Sequence, residues 1–373
     1  MKTFSERFDA ERRASNPYWI ACPYVPPGAI EEVLDTLNSR WIGQGPKVDR
    51  FEKEFEKKFL VENAVAVNSG TAALELAYEL IGIGPGDEVI TTPLTCTATN
   101  IPLVRRGARI VFADIRKDNL NIDKEDIRRK ITARTKAIVM VNLNGIDSQP
   151  EVFFRPGPGD DLRIRVVVDS AQALGNFGGD YTVCSFQAIK QITTGDGGML
   201  VCRDPEDACK AKLLRWFGID RELKIKNNWQ PYKQRAILYD IELAGYKFQM
   251  NDIAASLGLA GLRAYDDILE HRRAVFEIYR QRLPVVDGEN NRYGYACLLV
   301  ENRDSFAEAM AAAGIETNVL QVRNDAYRIF LPFRTTLPNM DWVEPRYICI
   351  PLHNHLTLDD ARYIADCAGR ACS

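Results

Sequence analysis

Four segments carry residue types that can do chemistry together, and they follow one another along the chain. Asn68-Ser69-Gly70-Thr71-Ala72 stands between a short apolar run, Ala64–Val67, and a stretch with apolar residues at helical spacing. A helix start offers unpaired backbone N–H groups and partial positive charge, and Gly70 allows close approach, so the segment suits a phosphate; an ordinary helix cap uses the same residue types. Asp169 ends the run Arg165-Val166-Val167-Val168, and Gln172 follows three residues later. Ligands of open α/β sheets sit beyond the carboxyl ends of the strands, where an aspartate can face a cationic ring nitrogen. Capping the next turn is an equal use for it. Ser185-Phe186-Gln187-Ala188-Ile189-Lys190 then leaves a strand-like run and places a lysine in a stretch with little other charge, ahead of the turn-rich Thr193–Gly198. Alone, a lysine beside a glycine turn is usually a solvated side chain.

The elements that must position these residues read as α/β. Phe51, Phe55 and Phe59 recur at four-residue spacing, one face of a helix over Asp49–Phe59, and Ala29–Leu37 is amphipathic. Strand-like runs recur at Ala64–Val67, Glu88–Thr92, Arg109–Ala113, Ala137–Leu143, Arg165–Asp169, Tyr181–Phe186 and Gly198–Val201. Near-continuous Val and Ile, as in Ala137–Val141, suit central strands covered on both faces. Helices are expected over Ile122–Ile131 and Asp204–Trp216. Residues 64–245 thus read as a large, mostly parallel α/β unit. A long helix over 251–281 leads to a compact α+β unit with strands at Tyr295–Val300 and Arg346–Ile350 and helices at Phe306–Ala313 and Leu358–Ala368. The expected division is 1–250 for the N-terminal segment and large domain, and 251–373 for the linking helix and small C-terminal domain. Pro156-Gly157-Pro158-Gly159 reads as a surface turn.

Bulk properties narrow the function. A chain of 373 residues exceeds what one core usually organises, and its net charge of -3 exerts no broad pull on nucleic acid or an anionic membrane, so neither is expected as a partner. No apolar run is long enough to span a bilayer. Nine cysteines without a CxxC pair, and three histidines, argue against a zinc site, and no metal is expected. Cys184, Cys202 and Cys349 lie in apolar strand-like runs and read as buried reduced thiols, which suits the cytoplasm.

Taken in order, Asn68–Leu74, Asp169-Ser170-Ala171-Gln172-Ala173, and Ser185 through Lys190 to Gly198 resemble the DegT/DnrJ/EryC1/StrS family of PLP-dependent sugar aminotransferases. Trp41–Pro46, Gly84–Ile90 and Gly245–Met250 extend the resemblance over nearly the whole chain. It implies a fold-type-I PLP-dependent transferase, with a large mostly parallel-sheet domain, a smaller C-terminal α+β domain, and homodimers with shared active sites. Lys190 matches the lysine that carries pyridoxal 5′-phosphate as a Schiff base and then moves a proton, with pyridoxamine 5′-phosphate as the halfway form. Asp169 matches the partner of the pyridine nitrogen and Gln172 the residue near the phenolic oxygen. Gly70, Thr71, Ala72 and Ser185 match positions around the phosphate.

Three positions depart from the family pattern. Cys96 stands where an aromatic residue often covers the cofactor ring, and Gln187 where histidine is common. Lys247 replaces a frequent asparagine expected to reach the cofactor from the partner subunit. Dehydrating relatives replace the lysine at position 190, so its retention favours transamination. Arg323, Asn324 and His353 are expected near the sugar nucleotide, with His355, Arg215 and Arg221 as further candidates. The implied reaction moves an amino group from L-glutamate to a nucleotide-linked 4-keto-6-deoxysugar. The alternatives are a 3-keto sugar, an aminocyclitol ketone, or a catalytically silent binding relative.

Overall fold

A computed structural model describes residues 18–153, 164–221 and 241–372, so the turn expected at 156–159 lies outside the described residues. The chain enters through α1 (Ala29–Ser39) and α2 (Pro46–Phe59). Proline in the first turn of α2 and Lys57 and Lys58 in its last turn are helix-start and helix-end residues, and Phe51 and Phe55 are fully buried. The pattern continues as β1 (Ala64–Val67), α3 (Gly70–Ile81), β2 (Glu88–Thr91), α4 (Thr97–Arg105), β3 (Arg109–Phe112), α5 (Lys124–Lys130), β4 (Thr135–Val141), β5 (Arg165–Asp169), β6 (Tyr181–Ser185), β7 (Gly198–Cys202) and α6 (Pro205–Leu214).

The first seven strands form one sheet in the order β1-β7-β6-β5-β4-β2-β3. Only β7 runs against its neighbours, so the carboxyl ends of the other six strands share one edge. Alternation along the strands assigns each face. Val65, Val67, Val183 and Leu200 pack on one side with Leu74, Leu76 and Ala77 of α3. Ala64, Ala66, Cys184 and Met199 pack on the other with Phe51 and Phe55. Both faces are dry, which explains the unbroken Val and Ile runs.

A 31-residue helix, α7 (Asp252–Arg282), joins this sheet to the rest of the chain. Its first half lies on α1 and α2, where Gly258 faces the Phe51 ring. Its second half supplies Val275, Phe276 and Tyr279 to a separate core. That core is completed by β8 (Ala296–Leu299), α8 (Arg303–Ala312), β9 (Tyr347–Ile350) and α10 (Leu358–Cys372), with α9 (Pro338–Val343) alongside. The antiparallel pair β8–β9 faces two ways: Ala296, Leu298 and Ile350 into this core, Cys297 and Tyr347 into the large one.

Two details differ from expectation. Cys349 is not a free thiol: it sits directly across β8–β9 from Cys297, Cα atoms 4.1 Å apart, and the two form a disulfide. Cys184 and Cys202 remain free and buried. Helix α4 was not legible, because Thr97-Ala98-Thr99-Asn100 and an internal Pro102 are poor helix formers; here the burial of Thr99, Asn100 and Leu103 outweighs propensity.

Candidate active site

The site residues converge because five of the six connections at the carboxyl edge of the sheet contribute one. Asn68–Ala72 follows β1, Pro93–Cys96 follows β2, Asn144 follows β4, Asp169 closes β5, and Ser185–Lys190 leaves β6. Ser69 caps α3, its Oγ accepting from the Ala72 N–H at 3.0 Å. The first-turn N–H groups of Gly70 and Thr71 precede any acceptor the helix could supply. A Cβ on Gly70 would lie 3.0 Å from Ser185 Cβ, so the glycine keeps this turn tight against β6. These groups form a cradle of N–H donors and a serine at a positive helix end.

Asp169 is 4% exposed. Its Oδ2 accepts from Thr99 Oγ1 at 2.7 Å and its Oδ1 from the Ala171 N–H at 3.1 Å. Burial pushes its carboxyl above the usual range, against the two hydrogen bonds and the nearby Lys190 charge. A carboxylate so desolvated is suited to a cationic partner. Lys190 Nζ lies 5.8 Å from the centre of the Tyr295 ring and makes no ion pair among the described residues. Gln172 is buried, and its Oε1 accepts from the Asn144 N–H at 2.8 Å. Asn144 Nδ2 is buried with no hydrogen-bond partner among the described residues.

These features fit a phosphorylated pyridine: a cradle for the phosphate, a buried carboxylate for the ring nitrogen, and polar groups beside Gln172 for a ring oxygen. Cys96 is exposed in the loop between β2 and α4, on the same edge. Lys247 is exposed, and its carbonyl accepts from Asn68 Nδ2, which places it beside the cradle.

The remaining candidates are engaged elsewhere. Arg323 turns its Nε and Nη2 onto Asp325, both at 2.7 Å, and its Nη1 onto Asp341 at 2.6 Å. His353 and His355 lie in the turn after β9, their Nε2 atoms 3.1 Å from the carbonyls of Trp19 and Pro23. Arg215 pairs with Glu52 and Arg221 with Asp49.

Asn324 reaches the site through the backbone of the Cys96 loop. Its N–H donates to the Pro93 carbonyl at 2.7 Å and its Nδ2 to the Thr95 carbonyl at 2.7 Å, while its Oδ1 accepts from Asn100 Nδ2 at 2.9 Å. Thr95 Oγ1 is 2.8 Å from Thr99 Oγ1, so one buried network runs from Asn324 to Asp169. Thr99, Asn100 and Asn144 were not singled out from the sequence. The available signal was a Thr- and Asn-rich stretch after each of two strands.

Comparison with known proteins identifies the family. The DegT/DnrJ/EryC1/StrS aminotransferase family model matches residues 27–368. The spore coat polysaccharide biosynthesis protein SpsC of Bacillus subtilis is 39% identical over 73% of this chain and 70% of its own. The dTDP-4-dehydro-2,3,6-trideoxy-D-glucose 4-aminotransferase of Saccharopolyspora spinosa is 30% identical over 90% of this chain and 92% of its own. Spr1654 of Streptococcus pneumoniae, solved in a PLP form, superposes with a TM-score of 0.84 at 28% identity, covering 95% of this chain and 98% of its own. The chain belongs to the DegT/DnrJ/EryC1/StrS aminotransferase family and is a PLP-dependent sugar aminotransferase.

Proposed function

We propose that this enzyme moves the amino group of L-glutamate to C4 of a nucleotide-linked 4-keto-6-deoxysugar. The observation that carries the choice of C4 and of a nucleotide-linked sugar is the likeness, over nearly the full length, to a dTDP-sugar 4-aminotransferase. Glutamate as donor rests on the family resemblance. The similarity to a spore coat polysaccharide protein supports an amino-sugar destined for a surface polysaccharide.

The residue roles in this reading rest on the family resemblance, and the geometry supports them. PLP, when bound, supplies an electrophilic carbon for an amine and a ring that accommodates the electron pair left when a proton departs. Gly70, Thr71, Ala72 and Ser185 hold its phosphate. Asp169 keeps the ring nitrogen protonated, and its buried charge gains from that partner what burial removed. Gln172, oriented by Asn144, faces the ring oxygen, and Cys96 covers a ring face. Lys190 anchors the cofactor through Nζ. Its Nζ, when free as an amine, would be the base for the proton on the donor α-carbon, and the ammonium so formed would be the acid that returns a proton on the way to the aminated sugar carbon.

Lys247 contributes to the phosphate site across a homodimer interface. Its exposure and its place beside Asn68 support that reading. Arg323 and His353 bound the sugar-nucleotide side of the cleft, where Arg323 holds the turn that carries Asn324. The division at 250/251 separates the large sheet from the linking helix and the second core. We place the enzyme in the cytoplasm, on the strength of seven cysteines that stand outside the disulfide.

The test crosses glutamate with nucleotide-linked 3-keto and 4-keto sugars and detects the aminated product by mass. An amine formed only from the 3-keto sugar, or only from a cyclitol ketone, overturns the substrate assignment. Lys190→Ala is expected to abolish the lysine-dependent cofactor absorbance and turnover together; an unchanged band removes Lys190 from its role.

A further inference from the structure

The β3 side of the sheet carries a second concentration of charge that the amino-transfer reading does not use. A cavity of about 390 Å³ runs along the outermost strand β3 from Arg109 to Phe112, beside Glu88 at the start of β2 and Thr132 and Arg134 ahead of β4, closed by the end of α5 and by the segment 332–335. None of these lining residues belongs to the phosphate cradle or is Asp169, Gln172 or Lys190. Its cations are Arg109, Arg129, Lys130, Arg134 and Arg334.

Counting partners shows a surplus. The buried Glu88 carboxylate takes Arg134 Nη2 at 2.7 Å and Arg109 Nη1 at 3.4 Å. Asp126 takes Lys130 Nζ at 2.7 Å and Arg129 Nη2 at 3.1 Å. Arg334 makes no ion pair among the described residues. Five cations against two carboxylates leave three positive charges in one cavity, in a chain whose net charge is -3.

Ordinary structural duties account for part of this. One arginine would neutralise Glu88, and basic residues at the end of α5 oppose its helix dipole. They do not account for the second cation on Glu88, nor for Arg334. Moreover, Glu88 fixes the Arg134 guanidinium through both Nε and Nη2, while the side chain stays 61% exposed. Such a fork is preorganised on one side and open on the other, the condition for binding oxygen anions bidentately.

We propose that this cavity is a second anion site that takes a diphosphate group, separate from the cofactor cleft. The diphosphate can be free or part of a nucleotide; both present the same oxygens to the arginine forks. The reading is independent of the sugar and of the donor.

The experiment uses the PLP-loaded protein, titrated with inorganic diphosphate and, in a parallel arm, with a nucleoside diphosphate. Affinity is measured by calorimetry and location by hydrogen exchange. Saturable binding is expected to protect residues 109–112, 129–135 and 332–335. Arg334→Glu, on the surface and outside the catalytic machinery, is expected to weaken it at least about tenfold with amino transfer unchanged. Arg109→Glu provides a second variant with the same expected direction. Protection by inorganic diphosphate identifies the free anion as sufficient; protection by the nucleoside diphosphate alone identifies a nucleotide. Protection confined to residues 68–72 and 185–198, or an affinity unmoved in both variants, overturns the proposal.

Discussion

Asp169 shows how burial and function are joined in one side chain. Its carboxyl is raised above its ordinary value of 3.8, burial being the largest cause. A raised carboxyl binds its proton more tightly in the folded state, so its contribution to stability is complete below the ordinary value and is lost as pH rises through the raised one. Cofactor-free protein should therefore lose stability from this group as pH climbs from about 4 toward neutrality, and Asp169→Asn should remove that slope. Thermal unfolding of both proteins across that range checks it, and parallel curves would count against a desolvated carboxylate. Asn324 acts at the same scale through other residues. Asn324→Ala removes the donor to the Thr95 carbonyl and one of the two acceptors of the Asn100 amide, which keeps only the Thr92 carbonyl. A loss of about 1–3 kcal/mol in denaturant unfolding is expected, together with weaker cofactor retention by absorbance titration. Retention equal to the parent would make Asn324 structural only.

At the scale of elements, the cofactor cradle depends on how closely β7 approaches α3. A Cβ on Gly198 would fall 2.5 Å from the Ser69 carbonyl carbon and oxygen and 2.7 Å from the Gly70 nitrogen. Those are backbone atoms, so the start of α3 would have to shift. Gly198→Ala should cost about 1–3 kcal/mol of stability and lower cofactor affinity, whereas Gly84→Ala, with nothing within 4 Å, should leave the affinity unchanged. Equal affinities for both variants would show that the cradle tolerates displacement. A comparable clamp holds the other wall. Arg272, buried in α7 with its guanidinium pushed down to about 10 by burial, donates to the carbonyls of Tyr293 and Gly294. Gly294 in turn packs against the Gln172 carbonyl.

At the scale of the whole molecule, α1 presents an exposed apolar surface among the described residues. Ile30, Leu34 and Leu37 recur at helical spacing, continue into Trp41 and Ile42, and are each 48–68% exposed. Such a continuous apolar stripe marks an interaction face, and in the proposed homodimer a second copy of the chain is its occupant, the arrangement that would also bring Lys247 near a cofactor. Ile30→Asp with Leu34→Asp should shift the protein to a monomer by light scattering and reduce cofactor affinity in parallel with Lys247→Ala. A dimer unaffected by both aspartates would place the interface elsewhere.

The sequence by itself determined the alternation of strands and helices, the ends of most elements, and the order of Gly70, Asp169, Gln172, Ser185 and Lys190 along the chain. Periodicity, caps and glycine turns are local, and each of these residues sits next to such a signal. Tertiary structure alone decided which segments share an edge. The antiparallel turn of β7, the pairing of Cys297 with Cys349, and the path from Asn324 through Thr95 and Thr99 to Asp169 all join residues distant in sequence. Hydrogen bonds across 70 to 229 positions leave no periodic trace. The same reason separates two arginine clusters that look alike as sequence. Arg323 is occupied by Asp325 and Asp341, while Arg109, Arg134 and Arg334 meet only when the sheet brings them to one cavity.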